Sequence, residues 1–241
     1  MKEVISIIIL CAVKNEYRAV KSIFEECYRT GVIKSTCCHY TIGRINSYKS
    51  LAACIGVGEK NVKKCFTSLL EEFDPCLVII FGAAGAVNPN IHSGTVTMPL
   101  SVVNYRLPGI LLDSLNIGNF SKQFEDIFVC ANVKMTVAGT SSDFISSNKL
   151  KRSIYEMLHI DTTDCETFHI ARICNDRHIP FFTLRCITDH AGFLAIVHYF
   201  LNASKILLNS VKLLKDIISQ INNGQYNQDI LGGVYERTGY D

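Results

Sequence analysis

Three apolar runs, each too continuous to leave one face in water, constrain this chain more than any other feature of its sequence. "ISIIILCAV" (5–13), "CLVIIFGAAG" (76–85) and "IPFFTLRCIT" (179–188) are rich in Val, Ile, Leu and Phe and lack polar alternation. Strands of this kind are buried on both faces, as in a parallel or mixed sheet covered by helices. The stretches between them read as helices: "KNEYRAVKSIFEECY" (14–28), "EKNVKKCFTSLLEEF" (59–73) and the long "AIVHYFLNASKILLNSVKLLKDIISQI" (195–221). In the second, Val62, Cys65, Phe66, Leu69 and Leu70 recur at helical spacing on one face. "HYTIGRI" and "YKSLAACIGVG" predict a hairpin turning at Asn46-Ser47, and the strand 76–85 is expected to break at Gly82. The expected fold is α/β, a single domain with a mixed, twisted central sheet flanked by helices.

With 241 residues, 48% of them hydrophobic, the chain can bury one sizeable core. No linker or repeat divides it, so residues 1–221 are expected to form the domain. Residues 222–241, "NNGQYNQDILGGVYERTGYD", are expected to form a polar, mobile tail. The segment 106–128, "RLPGILLDSLNIGNFSKQFEDIF", shows no clear period and reads as a long functional or disordered loop.

A net charge of +2 gives no electrostatic ground for nucleic acid or an anionic membrane as partner. No stretch is long enough to span a bilayer. "MKEVISIIILCAV" reads as a buried first strand rather than a signal peptide, because Glu3 lies in the would-be basic region and no small-x-small site follows. Leu10 before Cys11 does not suit a lipoprotein. The 11 cysteines form no C-x-x-C pair and no Cys/His set with zinc-ligand spacing, so no metal is expected. Cys11, Cys54, Cys76, Cys130 and Cys186 sit in apolar runs, where a free thiol acts as a small hydrophobe. That usage points to a reducing cytoplasm.

Three acids fall at element ends. Glu16 follows the first strand, Glu166 opens a helix in "TTDCETFHIARIC" with Thr163 or Asp164 available as its cap, and Asp189 ends the late strand. Ligands of open α/β sheets bind outside the carboxyl ends of the strands, so three acids at three such junctions predict one shared cleft. Two glycine turns accompany them. "GVGEKNV" carries Asn61 where a dinucleotide fingerprint needs its third Gly, and "GAAGAV" lacks the Lys-Ser/Thr of a P-loop. Both let backbone approach a small ligand.

In order and spacing, "CAVKNE", "GVGEKNV", "DPCLVIIFGAAGAVNPNIHSGTVTMP", "SSDFIS", "TDCETFHIARIC" and "IPFFTLRCITD" resemble the nucleoside phosphorylase and nucleosidase superfamily. The resemblance is strongest to its 5'-methylthioadenosine/S-adenosylhomocysteine nucleosidase branch and runs from residue 4 to about 215, with 106–128 unmatched. It implies cleavage of the N-glycosidic bond between a purine and a ribose, without a cofactor. It makes Asp189 the acid that protonates the purine and Glu16 the residue that positions and activates water. Glu166 would bind the ribose hydroxyls and stabilise the cationic sugar, and Phe144 would stack on the base. Ala83, Cys165 and Thr188 complete the implied substrate-binding set. Ala83 stands where the branch usually has Ser or Thr, and Cys165 where it usually has Met. Phe168 and His169 replace two small residues after the helix-start Glu, in a part of the chain that bears on the 5' substituent. Related nucleosidases act on other 5'-substituted adenosines or on futalosine.

Water is favoured over phosphate as nucleophile. The first loop, "AVKNEY", has no Gly, Glu16 would repel an anion, and no Arg lies between Asn46 and Tyr105. Arg18 is expected on an exposed helix face. A phosphorylase and a nucleoside-binding relative without turnover are the alternatives. The resemblance also implies a homodimer, with 106–128 as the candidate contact.

Overall fold

The computed structural model describes residues 2–118, 128, 129 and 131–223. The first half of the chain forms β1 (Glu3–Cys11), α1 (Lys14–Lys21), β2 (Glu26–Ile33), β3 (Cys38–Ile45), β4 (Tyr48–Cys54), α2 (Glu59–Glu72) and β5 (Phe73–Ala86). The second half forms β6 (Val96–Arg106), β7 (Ile110–Asn116), β8 (Lys134–Thr140), α3 (Asn148–Leu158), β9 (Thr162–Asp164), α4 (Thr167–Asp176), β10 (Phe181–Asp189) and α5 (Ala195–Asn223). This is the single α/β domain that the apolar runs predict.

The sheet is mixed. β1 lies between β4 and β5, parallel to both, and β10 runs parallel to β5. The β2–β3–β4 meander and the β6–β7 hairpin are antiparallel. Because β5 pairs with both β10 and β9, the ladders β5–β9–β8–β6–β10 close on themselves and gather several strand ends around one opening. Burial follows the two-residue period of a strand. From Ile7 onward, Ile7, Ile9 and Cys11 of β1 join a core under α1 and α5, while Ile8 and Leu10 join a second core under α2 and α4. A strand with a core on each side has no polar face, which explains the unbroken apolar runs.

Several expectations need correction. The helix expected over 14–28 ends at Lys21, and Glu26–Ile33 is an edge strand. Glu25 N–H donates to Arg44 O, and Arg44 pairs with Glu25 and Glu26, which draws the chain into the ladder with β3. β5 does not break at Gly82. It continues to Ala86 because Gly82–Gly85 still find partners on β10 and Gly85–Ala86 on β9. The segment 106–128 is not a structureless loop throughout, since Ile110–Asn116 pairs with β6 as β7. The expected turn at Asn46-Ser47 is present, with Asn46 in the left-handed region at φ +52°. Asn222 and Asn223 of the expected tail belong to α5, and the tail beyond them lies outside the described residues, as do Cys130 and 119–127. Among the described residues no helix is long and apolar enough to cross a membrane.

Phe66 of α2 is fully buried in the second core, on the face shared with Val62, Leu69 and Leu70. Phe66→Ala is expected to cost about 3–5 kcal/mol through lost transfer energy and the cavity left behind. Urea unfolding of the two proteins measures it, and a loss below about 1 kcal/mol would mean that α2 is not seated as described.

Candidate active site

Four chain segments bring the predicted acids together. Glu16 lies in the first turn of α1 and folds back on its own helix start. Its Oε2 accepts the N–H groups of Ala12 (2.8 Å) and Val13 (3.1 Å). Its Oε1 accepts the Ala83 N–H of β5 at 2.8 Å, so one carboxylate ties α1 to the middle of the sheet. Gly82 makes room for this. A Cβ there would lie 2.6 Å from Glu16 Oε1 and 2.8 Å from Arg185 Nη1. Glycine is required at this point by the space beside it.

Arg185, in the middle of β10, is only 1% exposed. A buried guanidinium must be paired or it forfeits its hydration without compensation. Its Nε and Nη2 donate to Thr167 Oγ1 at 2.9 and 2.7 Å, its Nε lies 3.0 Å from Asp164 Oδ2, and its Nη2 lies 3.8 Å from Glu166 Oε2. Asp164 also organises the start of α4. Its Oδ1 accepts from the N–H groups of Glu166 and Thr167, both at 3.0 Å, and from Thr140 Oγ1 at 2.9 Å, while the Thr167 hydroxyl donates to Oδ2. Neither expected cap is the N-cap residue, which is Glu166; Asp164 accepts the first N–H groups of α4 from two residues before it, and Thr163 shares a 2.8 Å hydrogen bond with Tyr105.

Glu166, held at the helix start, accepts the Gly58 N–H on Oε1 at 3.0 Å. The second glycine-containing turn thus reaches the same place from α2. Asp189 ends β10 with both oxygens engaged. Thr188 Oγ1 donates to Oδ2 and the Ala191 N–H donates to Oδ1, each at 2.9 Å.

Glu16, Ala83, Phe144, Cys165, Glu166, Thr188 and Asp189 all line one cavity of about 750 Å³, its open mouth included. Asp189 is 9% exposed and Phe144 is 55% exposed, so the acid sits deep and the ring stands free at the rim. Sequence reasoning missed Val57, Asp143 and Tyr199 on the cavity wall and the part played by Arg185 behind it. Arg185 was detectable as a lone charge inside an apolar strand. Tyr199 had no signal, being one aromatic among many in α5.

Burial raises the pKa of Asp189 above the usual carboxylate range, against the opposing donation from Thr188 and Ala191. Burial likewise raises Glu16, opposed by the Arg185 charge and by the Ala83, Val13 and Ala12 N–H groups. Glu166 is pushed up to about 7, first by burial, with Arg185 opposing and with Asp164 and Glu16 adding like-charge repulsion. Burial works against the charge of Arg185, yet Asp164, Glu166 and Glu16 hold its pKa above the ordinary value. Cys165 is pushed up to about 12 by burial and by Glu166 and Asp164, so it remains a neutral thiol. The arrangement is an acid-walled cleft in which burial favours the protonated carboxyls and pushes Glu166 up to about 7. Among the described residues no cluster of side chains could hold a metal ion.

An α/β sheet with a closed ring of ladders and an acidic cleft at the carboxyl ends of its strands defines a class of small-molecule enzymes. The chain belongs to the phosphorylase superfamily, whose family model it matches over residues 6–219. It is 21% identical over 231 residues to a 5'-methylthioadenosine/S-adenosylhomocysteine nucleosidase of Bacillus thuringiensis, covering 89% of this chain and 99% of that one. It is 22% identical over 189 residues to an aminodeoxyfutalosine nucleosidase of Campylobacter jejuni, covering 71% of this chain and 82% of that one. Its fold superposes on the 5'-methylthioadenosine/S-adenosylhomocysteine nucleosidase of Helicobacter pylori with a TM-score of 0.81 at 18% identity, covering 91% of this chain and 100% of that one.

The raised pKa of Glu166 gives a stability prediction. A group raised from 4.5 to about 7 on folding favours the folded state through its neutral form, and that contribution is complete below the ordinary value and lost as pH rises through about 7. Glu166→Gln is neutral at every pH. From about pH 5 to about pH 8 the unmodified protein is therefore expected to lose stability relative to the variant in thermal unfolding. Parallel pH profiles would contradict it.

Proposed function

We propose that this chain is a purine nucleosidase that hydrolyses the N-glycosidic bond of a 5'-substituted adenosine such as methylthioadenosine or S-adenosylhomocysteine. The observation that carries the reading is the convergence of Glu16, Glu166 and Asp189 on one cavity from separate parts of the sequence. The names of the similar proteins, all nucleosidases of 5'-modified adenosines or related nucleosides, support the same class.

A purine anion is a poor leaving group, so the ring must gain a proton as the bond opens. Burial raises the pKa of Asp189, which favours its carrying that proton, and Thr188 and Ala191 fix the carboxyl's orientation at the cavity wall. As the base leaves, positive charge develops on the sugar. Glu166 faces that charge within a wall where Glu16, Asp164 and Glu166 stand against the single guanidinium of Arg185. Fixed negative charge aimed at the developing cation stabilises the transition state without reorganisation. Glu16 keeps both oxygens in place through three backbone N–H groups, and its raised pKa makes it a better base toward water. The same carboxylate repels phosphate, and Arg18 is exposed on α1. Hydrolysis is therefore favoured over phosphorolysis. Phe144 at the rim is placed to stack on the base, and Ala83, Cys165 and Thr188 contribute the surrounding wall.

A second copy of the chain is the proposed partner, besides the nucleoside. Ile110, Leu111 and Leu112 are each more than half exposed on β7, which among the described residues pairs with β6 alone, and Phe193, Phe200 and Leu201 are exposed on the segment that carries Tyr199. Apolar surface of this kind marks an interaction site. The mostly buried thiols of the described residues suit the cytoplasm as compartment.

Two measurements check the reading. Asp189→Asn is expected to lower base release by about two to four orders of magnitude while nucleoside affinity stays close to that of the unmodified protein, because Asn hydrogen-bonds the purine but cannot deliver a proton. Unchanged turnover in the folded variant would remove Asp189 from the chemistry. Light scattering is expected to give a dimer that Leu111→Glu dissociates, and a fully active monomer would contradict the proposed interface.

A further inference from the structure

Asp189 is held from behind by one peptide group that is engaged at both ends. The Ala191 N–H donates to Asp189 Oδ1 at 2.9 Å. The carbonyl of the same peptide, His190 O, accepts from Lys151 Nζ, also at 2.9 Å. Lys151 lies near the start of α3, 39 residues away in sequence. This peptide needs an outside hold. Ala191 takes φ +31°, a left-handed conformation that a residue with a Cβ adopts only at a cost. Turning the peptide over would return that φ to the ordinary region. It would also swing the N–H off Asp189 and the carbonyl off Lys151, because the two groups of a trans peptide point in opposite directions. The surroundings are close on both sides. A Cβ on Gly192 would lie 2.8 Å from Asn148 Oδ1 at the start of α3, and one on Gly85 of β5 would lie 2.9 Å from Asp189 Oδ1. The Ala191 methyl packs in the cluster of Ile145 and Ile154.

We propose that Lys151 is a positioning residue for Asp189: its ammonium, bonded to the His190 carbonyl, holds the His190–Ala191 peptide in the orientation that puts the Ala191 N–H on the Asp189 carboxylate. The inference rests on the role given above to Asp189, but its first consequence can be read without turnover. A cation on the carbonyl also polarises the peptide, which makes its N–H a stronger donor. Asp189 otherwise faces the Thr188 hydroxyl, the His190 and His198 rings and Tyr199. Lys151 itself faces the His190 ring, which stands edge-on to His92. Removing the ammonium leaves all of these groups in place and frees the peptide to turn. A carboxylate whose donor weakens holds its proton more tightly.

The test is Lys151→Met, which keeps an unbranched stem and removes the ammonium, read by NMR as hydrogen exchange at the Ala191 amide and as the titration of the Asp189 carboxyl. Ala191 exchange is expected to rise roughly three- to ten-fold, as for the weakening of one ordinary hydrogen bond, and Asp189 to bind its proton more tightly by a similar factor. Lys151→Arg, which can still donate to the carbonyl, should restore both, and Lys151→Ala serves if Lys151→Met does not fold. The same two changes are expected in a His190→Gln background, where the imidazole facing Lys151 is gone. In turnover, Lys151→Met should lower kcat with little change in KM, and the alkaline limb of its pH profile should move upward with the Asp189 titration. Unchanged Ala191 exchange and Asp189 titration in a folded Lys151→Met or Lys151→Ala protein would overturn the inference. So would a shift at Asp189 with none at Ala191, because the charge would then act through space rather than through the peptide. If both readouts move while the unmodified protein releases no base, the positioning link stands and the nucleosidase reading fails.

Discussion

The site is organised around a guanidinium that has no access to water. Arg185 sits in the middle of a strand with Asp164, Glu166 and Glu16 acting on it from three other elements. Each acid has a structural duty as well. Asp164 accepts the Thr167 N–H at the start of α4, Glu16 fastens α1 to β5, and Glu166 fastens the Gly58 turn. One buried cation therefore fixes how two helices and a glycine turn meet the sheet. Removing it would leave like charges buried together, which is far more damaging than never having built the group.

The arrangement is not the most stable way to fill that space, since apolar residues of similar volume commonly do as well or better. Its use lies in the imbalance. Three carboxylates share one guanidinium, so burial raises Glu16 and pushes Glu166 up to about 7, and the cavity wall favours positive charge. Those are the conditions that the proposed departure of a purine from a ribosyl cation requires. Asp189 stands apart from this cluster, kept by burial and two donors as an acid in its own right. Two environments thus give carboxyl groups of the same chemistry different tasks.

Much of the fold was legible in the sequence because burial on both faces leaves a strong signal. β1, β5 and β10 announced themselves as apolar runs, and α2 by its spacing of Val62, Phe66 and Leu69. β2 was misread because its exposed, charged residues imitate an amphipathic helix, and only the pairing of Arg44 with Glu25 and Glu26 reveals an edge strand. β7 was hidden because Ile110–Leu112 face outward, where alternation carries no information. At the site, Glu16, Glu166 and Asp189 could be found because acids at strand ends are conspicuous. Tyr199 and Asp143 could not, because their place on the cavity wall depends on how elements distant in sequence are packed.

The most direct test of the account is to incubate the protein with methylthioadenosine, with and without inorganic phosphate, and to identify both products by chromatography. The account predicts free adenine and free 5-methylthioribose at a rate indifferent to phosphate. Release that requires phosphate and yields the sugar 1-phosphate would contradict the role given to Glu16. Tight binding without any release would contradict the enzymatic reading as a whole.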